Sequence, residues 1–292
     1  FPKKCLTILS IIGERFQIIL DPWPVIDLLF THSNYFSSDS CAMDYISLLI
    51  YLNSTFHGFR EARQRHCWDA ICNLFTKNDN HCIVKYGYTA LAHLYECNPE
   101  IISTFPFPPT SIQHLQYHDL QYSVISLLFR MPPNGLIEPI IKEMINLSKY
   151  ENSGLCQCQN EAGIALILMA NDRLCSQVLT RDITWINYNL PTISNTIKLL
   201  AQVIKFNPCR RFISINSNLP VFLNRILNEF DEDDVSSAGF LANQLLISPR
   251  TLSLLRCEHF ISNYFEKVIN DRHPSIKLAY ATSLLCESIA KY

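Results

Sequence analysis

Residues 208–249 read PCRRFISINSNLPVFLNRILNEFDEDDVSSAGFLANQLLISP. Three helical runs lie in this stretch, each ended by a different stop. A short run from Arg210 to Ile215 follows Pro208 and breaks at Asn216 to Asn218. Pro220 suits the first turn of the next helix, where its missing N–H has no intrahelical partner to lose. Val221, Phe222, Ile226, Leu227 and Phe230 then recur with helical period. The acidic turn Asp231 to Asp234 closes that helix and offers a cap and favourable charge to the one that follows. The third run, Val235 to Ile247, stops at Ser248-Pro249 because a residue before Pro is pushed out of the α region.

The remainder of the chain repeats this plan: a short helix over Arg250 to Leu255, a longer one over Glu258 to Ile269, a polar turn reaching Pro274, then Ser275 to Ala290. Upstream, apolar helical runs end at similar corners. These are Asp21-Pro22, His57-Gly58, Asn98-Pro99, Pro132-Pro133, Asn171-Asp172 and Asn207-Pro208, and with Ser248-Pro249 they recur every 34 to 41 residues. A helical unit of that length cannot bury its apolar face alone and stacks on its neighbours, which predicts an all-α solenoid.

The third helices share a core pattern. Gly87-x-x-Ala90-Leu91, Ser123-x-x-Ser126-Leu127 and Ala162-x-x-Ala165-Leu166 place small residues where helices approach closely, and Ala238, Gly239 and Ala242 give a looser version. Asn195 to Phe206 departs from it, with Leu199 and Leu200 at the small positions. In helix order, repeat length and this small-x-x-small-Leu core, the chain resembles the armadillo repeat, with the HEAT repeat as the near alternative. The resemblance implies a right-handed α-solenoid of about seven three-helix repeats, one domain over 1–292 whose first repeat, to about residue 56, is irregular. The stretch Thr104 to Thr110, rich in Pro, is expected to make an irregular corner. Armadillo-type nuclear-import receptors carry a Trp and an Asn four residues later on successive third helices. The corresponding positions here hold Tyr88 and Ala92, Val124 and Leu128, and Gly163 and Ile167, so reception of cargo signals by that mechanism is not implied.

Composition narrows the function classes. Lys plus Arg (24) nearly balances Asp plus Glu (26), so no overall field recruits nucleic acid or an anionic membrane. Seven glycines are too few for a turn-rich sandwich. The 12 cysteines sit mostly inside apolar helical runs, where a free thiol behaves as a small hydrophobe. That usage fits a reducing cytoplasmic or nuclear compartment. No apolar stretch approaches the ~20 residues needed to span a bilayer. A start at Phe1 and a ragged first repeat are what a piece of a longer polypeptide is expected to show.

The chain contains no G-x-S-x-G, H-E-x-x-H, G-x-x-x-x-G-K-[ST] or G-x-G-x-x-G motif, so no catalytic residues and no cofactor are assigned. Cys156-x-Cys158 with Cys175 lacks the second close pair that structural zinc uses, so no metal site is assigned. Two short basic runs, Arg60 with Arg63 and Arg210 with Arg211, could meet a phosphate or an acidic peptide. The concave third-helix ridge offers polar and aromatic groups that leave the apolar stripe: Lys85, Tyr88, Asn195, Lys198, Gln202, Asn243, Gln244 and Lys277. Asn195, Lys198 and Gln202 fall at i, i+3 and i+7 and are expected to form one exposed line. The leading expectation is a non-catalytic scaffold that binds a protein or peptide along this ridge. The alternatives are a regulatory domain of a larger enzyme, such as a protein kinase, and a self-associating or nucleic-acid-binding solenoid.

Overall fold

The computed structural model describes residues 79–97, 106–149 and 158–292, save 189, 191, 230, 231, 272 and 273, together with 42–44, 46, 47, 50, 71 and 72. The corners at residues 21, 57 and 98, most of the irregular first repeat, and Arg60 and Arg63 lie outside the described residues. Among those described, the chain is all-helical from His81 onward and has no strand. Its contacts group into two compact units, residues 1–136 and 137–292.

In the first unit, α1 (His81–Cys97) packs along α3 (His118–Leu128), and the single turn α2 (Ser111–His114) packs on α3. The apolar stripe of α1 supplies Ile83, Val84, Leu91 and Leu94 to the core, and that of α3 supplies Leu120, Val124, Leu127 and Leu128. The proline-rich approach to α2 has no helix over residues 106–108, as expected where Pro removes backbone donors. Phe107 is nevertheless fully buried, so this corner is fixed by packing.

The second unit runs α4 (Ile137–Ser148), α5 (Gln159–Met169), α6 (Arg173–Arg181), a 3-10 helix (Ile183–Asn187), α7 (Ile193–Val203), α8 (Asn207–Ile213), α9 (Asn218–Glu229), α10 (Glu232–Leu245), α11 (Pro249–Cys257), α12 (Phe260–Asn270) and α13 (Ile276–Ala290). Side chains set many of the starts. Asp172 accepts from the N–H groups of Leu174 and Cys175, Thr192 from Asn195, Ser248 from Thr251, and Ser275 from Leu278. Each oxygen satisfies donors that a helix N-terminus otherwise leaves unpaired. The corner Ser248-Pro249 thus starts α11 by capping it, with Pro in its first turn, while α10 has already ended at Leu245.

Helices pack on their sequence neighbours, as α4 on α5, α9 on α10 and α11 on α12, and on helices two or three further along the chain. α5 packs on α7, α7 on α10, and α10 most extensively on α13; in the other rows α4 packs on α6, α6 on α8, and α9 on α12. α6 and α7 are joined through the 3-10 turn, where Trp185 is fully buried and donates its indole N–H to the Leu179 carbonyl at 2.8 Å. His259, at the start of α12, is the single described non-glycine residue with a left-handed backbone (φ 58°). No single described helix is long and apolar enough to cross a membrane; α5 and α6 would pass only as a pair, across a 116° bend.

Candidate functional site

The polar third-helix residues separate into three groups. Tyr88 is a correction to the expected surface row: it is 1% exposed. Its hydroxyl donates to Ser111 Oγ at 2.9 Å and meets His114 Nδ1 at 2.8 Å, tying α1 to α2. Burial pushes the Tyr88 phenol well above its ordinary range, and burial followed by the His81 charge pulls the His114 imidazole below its own. Asn195 is likewise buried, 8% exposed, and its Nδ2 donates to Asn160 Oδ1 across the α5–α7 seam at 3.3 Å. Gln202 is half-buried, and its Oε1 lies inside with no hydrogen-bond partner. The expected line of Asn195, Lys198 and Gln202 therefore presents Lys198 alone as an exposed residue. A stacked helix has both flanks covered, so an i, i+3, i+7 line that strays off the outer stripe runs into a seam.

A second group is exposed or half-exposed but committed to neighbours. Lys85 approaches Asp119 Oδ2 at 3.4 Å, and His81 Nδ1 lies 2.9 Å from the same carboxylate. Burial acts to raise the Asp119 carboxyl, but the hydrogen bonds and charges of His81 and Lys85 outweigh it and hold it below its usual value. Lys277 on α13 pairs with Asp233 on α10 at 2.9 Å. Asn243 accepts from the Ser288 hydroxyl along the same helix pair. Such exposed pairs add little stability each. Gln244, in the third group with Lys198, is exposed.

The sequence reading overlooked a groove between α1 and α3. It has a volume of about 200 Å³ and is lined by Thr89, His93 and Glu96 on α1 and by Tyr122, Ser126 and Arg130 at α3 and its end, with Tyr88, Ala92 and Ser123 at its base. Arg130 donates from Nε to Glu96 and from Nη1 to the Ser126 carbonyl and hydroxyl. Tyr122 stands 61% exposed at the rim. The groove thus mixes donors, acceptors and an aromatic surface, which suits the side chains and backbone of a polypeptide. The signal lay in the spacing of Asp119, Tyr122, Ser126 and Arg130, steps of three, four and four residues that follow one helix face. Ser123 and Ser126, expected in the core, are half-buried lining residues instead.

A second groove, about 220 Å³, lies between α6 and α8 and is lined by Gln177, Thr180, Arg181, Pro208, Cys209 and Phe212. Arg210 donates from Nη2 to Asn207 Oδ1, its Nε is buried without a partner, and Arg211 is exposed. Among the described residues no three His, Cys, Asp or Glu side chains converge as a metal site would require. The described cysteines are free thiols; Cys156 lies outside the described residues.

No family model matches the chain, and no curated protein matches it. Among solved structures it is similar to an engineered protein crystallised by the Northeast Structural Genomics Consortium, with a TM-score of 0.53 and 13% identity over 91% of this chain and 70% of that one. At that identity the likeness is one of fold.

Proposed function

We propose that this chain is a non-catalytic α-solenoid of armadillo-like type that holds a protein partner on the outer stripes of its stacked helices. The observation that carries the reading is that, in the second unit, helices pack on others two or three elements further along the chain, α5 on α7, α7 on α10 and α10 on α13. Within the second unit, packing of that kind covers helix flanks and leaves outer stripes side by side, a surface suited to an extended partner. In the first unit the α1–α3 groove supplies a recess in such a row, with Tyr122 as an aromatic anchor and Arg130 as a fork of donors. In the second unit Lys198 and Gln244 are the exposed residues of the expected ridge that form no hydrogen bond or ion pair with a neighbouring helix among the described residues.

The test is native isolation of the chain under mild salt, with partners quantified by mass spectrometry. Tyr122→Ala with Arg130→Ala in one variant, and Lys198→Glu with Gln244→Ala in another, are expected to shed the retained partner while keeping the helical circular dichroism signal. Isolation of the chain with no stoichiometric partner, or retention indifferent to both variants, would remove the reading.

A further inference from the structure

From Ile183 to Asn228 the chain carries no Asp or Glu, while it holds Lys198, Lys205, Arg210, Arg211 and Arg225. The first helices of three successive repeats, α6, α8 and α11, contain six arginines (Arg173, Arg181, Arg210, Arg211, Arg250 and Arg256) and no carboxylate. Residues 137–292 as a whole hold 15 basic and 15 acidic residues, so this is a segregation of charge within a neutral unit. Five of the six arginines are exposed, Arg210 being the exception. None of the six forms an ion pair with a described residue, whereas Lys85, Arg130, Lys277 and Lys291 all do. The nearest carboxylates in sequence, Asp172 and Asp182, are occupied at helix starts, accepting from Leu174 and Cys175 and from Thr184 respectively.

The α6–α8 groove sits among these arginines. Arg173, Gln177 and Arg181 follow one face of α6 at four-residue steps, and Arg211 stands one turn beyond Pro208 on α8. The groove between them is largely apolar: Pro208, the buried Cys209, Phe212 at 50% exposure, and Thr180, whose hydroxyl is spent on the Ser176 carbonyl. Leu174, 58% exposed, adds apolar surface on the same helix.

From this juxtaposition we infer that the α6–α8 groove docks an acidic peptide segment of a protein partner, one apolar side chain seated between Thr180 and Phe212 and flanking carboxylates held by Arg181, Arg173 and Arg211. Guanidinium forks match carboxylates two bonds at a time, and unpaired ones surrender no existing partner on binding. An apolar recess between them favours a peptide over a nucleic acid, which asks for a phosphate track and successive stacking platforms, and here Phe212 is the lone aromatic lining residue. The inference rests on the partner-holding reading above and places a second docking surface on a different row of helices.

The full chain is titrated by fluorescence anisotropy with a labelled synthetic peptide of Asp and Glu around a central Phe. A version with Ala for that Phe, a version with Asn and Gln for the acids, and a single-stranded DNA oligonucleotide are run beside it. The acidic Phe peptide is expected to bind, to weaken with added salt, and to lose about tenfold in affinity or more on either peptide change. Arg181→Glu with Arg211→Glu, or Phe212→Ala alone, is expected to cost a similar factor with the circular dichroism spectrum unchanged. Absence of binding, binding insensitive to these substitutions, or tighter binding of the DNA would overturn the inference. Native isolation of the same variants separates the two ideas: partners kept by Arg181→Glu/Arg211→Glu leave the scaffold reading standing without this surface, and no partner on the unaltered chain removes both.

Discussion

Gly239 on α10 offers a direct test of how closely these helices approach. A Cβ added there would lie 2.3 Å from Tyr264 Oη, 2.8 Å from Cζ and 3.0 Å from Cε2, distances at which something must move. Tyr264 on α12 has little room to retreat. It is fully buried, its ring lies 5.9 Å between centroids from Phe260 (tilted) and from Phe265 (edge-to-face), and its hydroxyl meets Thr282 Oγ1 on α13 at 3.2 Å. Two effects of Gly239→Ala oppose each other. Ala in a helix interior gains about 1 kcal/mol over Gly. Overpacking of a well-filled core costs about 1–3 kcal/mol, and displacing the Tyr264 hydroxyl from Thr282 costs about 1 kcal/mol more. The clash wins, and the variant is expected to be destabilised by about 1–3 kcal/mol in urea unfolding followed by far-UV circular dichroism.

Tyr264→Phe sharpens the test by removing the atom in closest conflict. Alone it is expected to cost about 1 kcal/mol, because Thr282 keeps its bond to the Leu278 carbonyl at 2.8 Å. Combined with Gly239→Ala it should recover part of the loss, giving a coupling of about 1 kcal/mol between the two sites. A Gly239→Ala chain more stable by the full helix-propensity gain, or strictly additive single variants, would refute the seating of the Tyr264 side chain against Gly239.

Gly135 provides the contrast: it has φ +80° and nothing within 4 Å of an added Cβ, so Gly135→Ala should cost only the backbone term, about 1 kcal/mol, by the same unfolding assay. Asp172→Ala removes the acceptor for the first N–H groups of α6 and is expected to lower stability by about 1 kcal/mol in thermal or urea unfolding. Burial holds the His114 imidazole below its ordinary 6.5. The unfolded chain therefore binds a proton that the folded chain resists, and this contribution to stability is intact above the unfolded value and lost as pH falls below it, toward the folded value. Urea midpoints at successive pH values should fall through that window, and His114→Gln should flatten the slope. Burial, followed by the Asp172 charge, pushes the Cys175 thiol up to about 12. Timed alkylation read by mass spectrometry should label exposed Cys82, Cys257 and Cys286 early and Cys175 late, because the thiolate is the reactive form.

The sequence made the helical rows legible because their boundaries are written in local chemistry. Ser248-Pro249, Asp172 and Ser275 act within one turn of themselves, and the starts they imply agree with α11, α6 and α13 to within a residue or so. The middle helix expected at Glu258 begins instead at Phe260, after His259 takes a left-handed turn that no residue type there announces. The outward-facing residues were less legible. Tyr88 and Asn195 are polar by type yet lie inside, because their hydrogen-bond partners, Ser111, His114 and Asn160, come from other helices. Periodicity within one helix says where its apolar stripe lies, but the width of the covered sector depends on neighbours that a single repeat does not specify.

Small residues at the helix seams account for much of that width. On α5, Ala162 and Ala165 are buried, and the helix packs on both α4 and α7. On α3 the equivalent positions are Ser123 and Ser126, which stay half-buried and floor the α1–α3 groove, with Ser126 also binding Arg130. Between α6 and α8 the seam residues are Thr180, Pro208 and Cys209, again small, and a groove remains. The two recesses differ in the charge at their rims. Glu96 already occupies Arg130 in the first groove, whereas no described carboxylate occupies the arginines around the second.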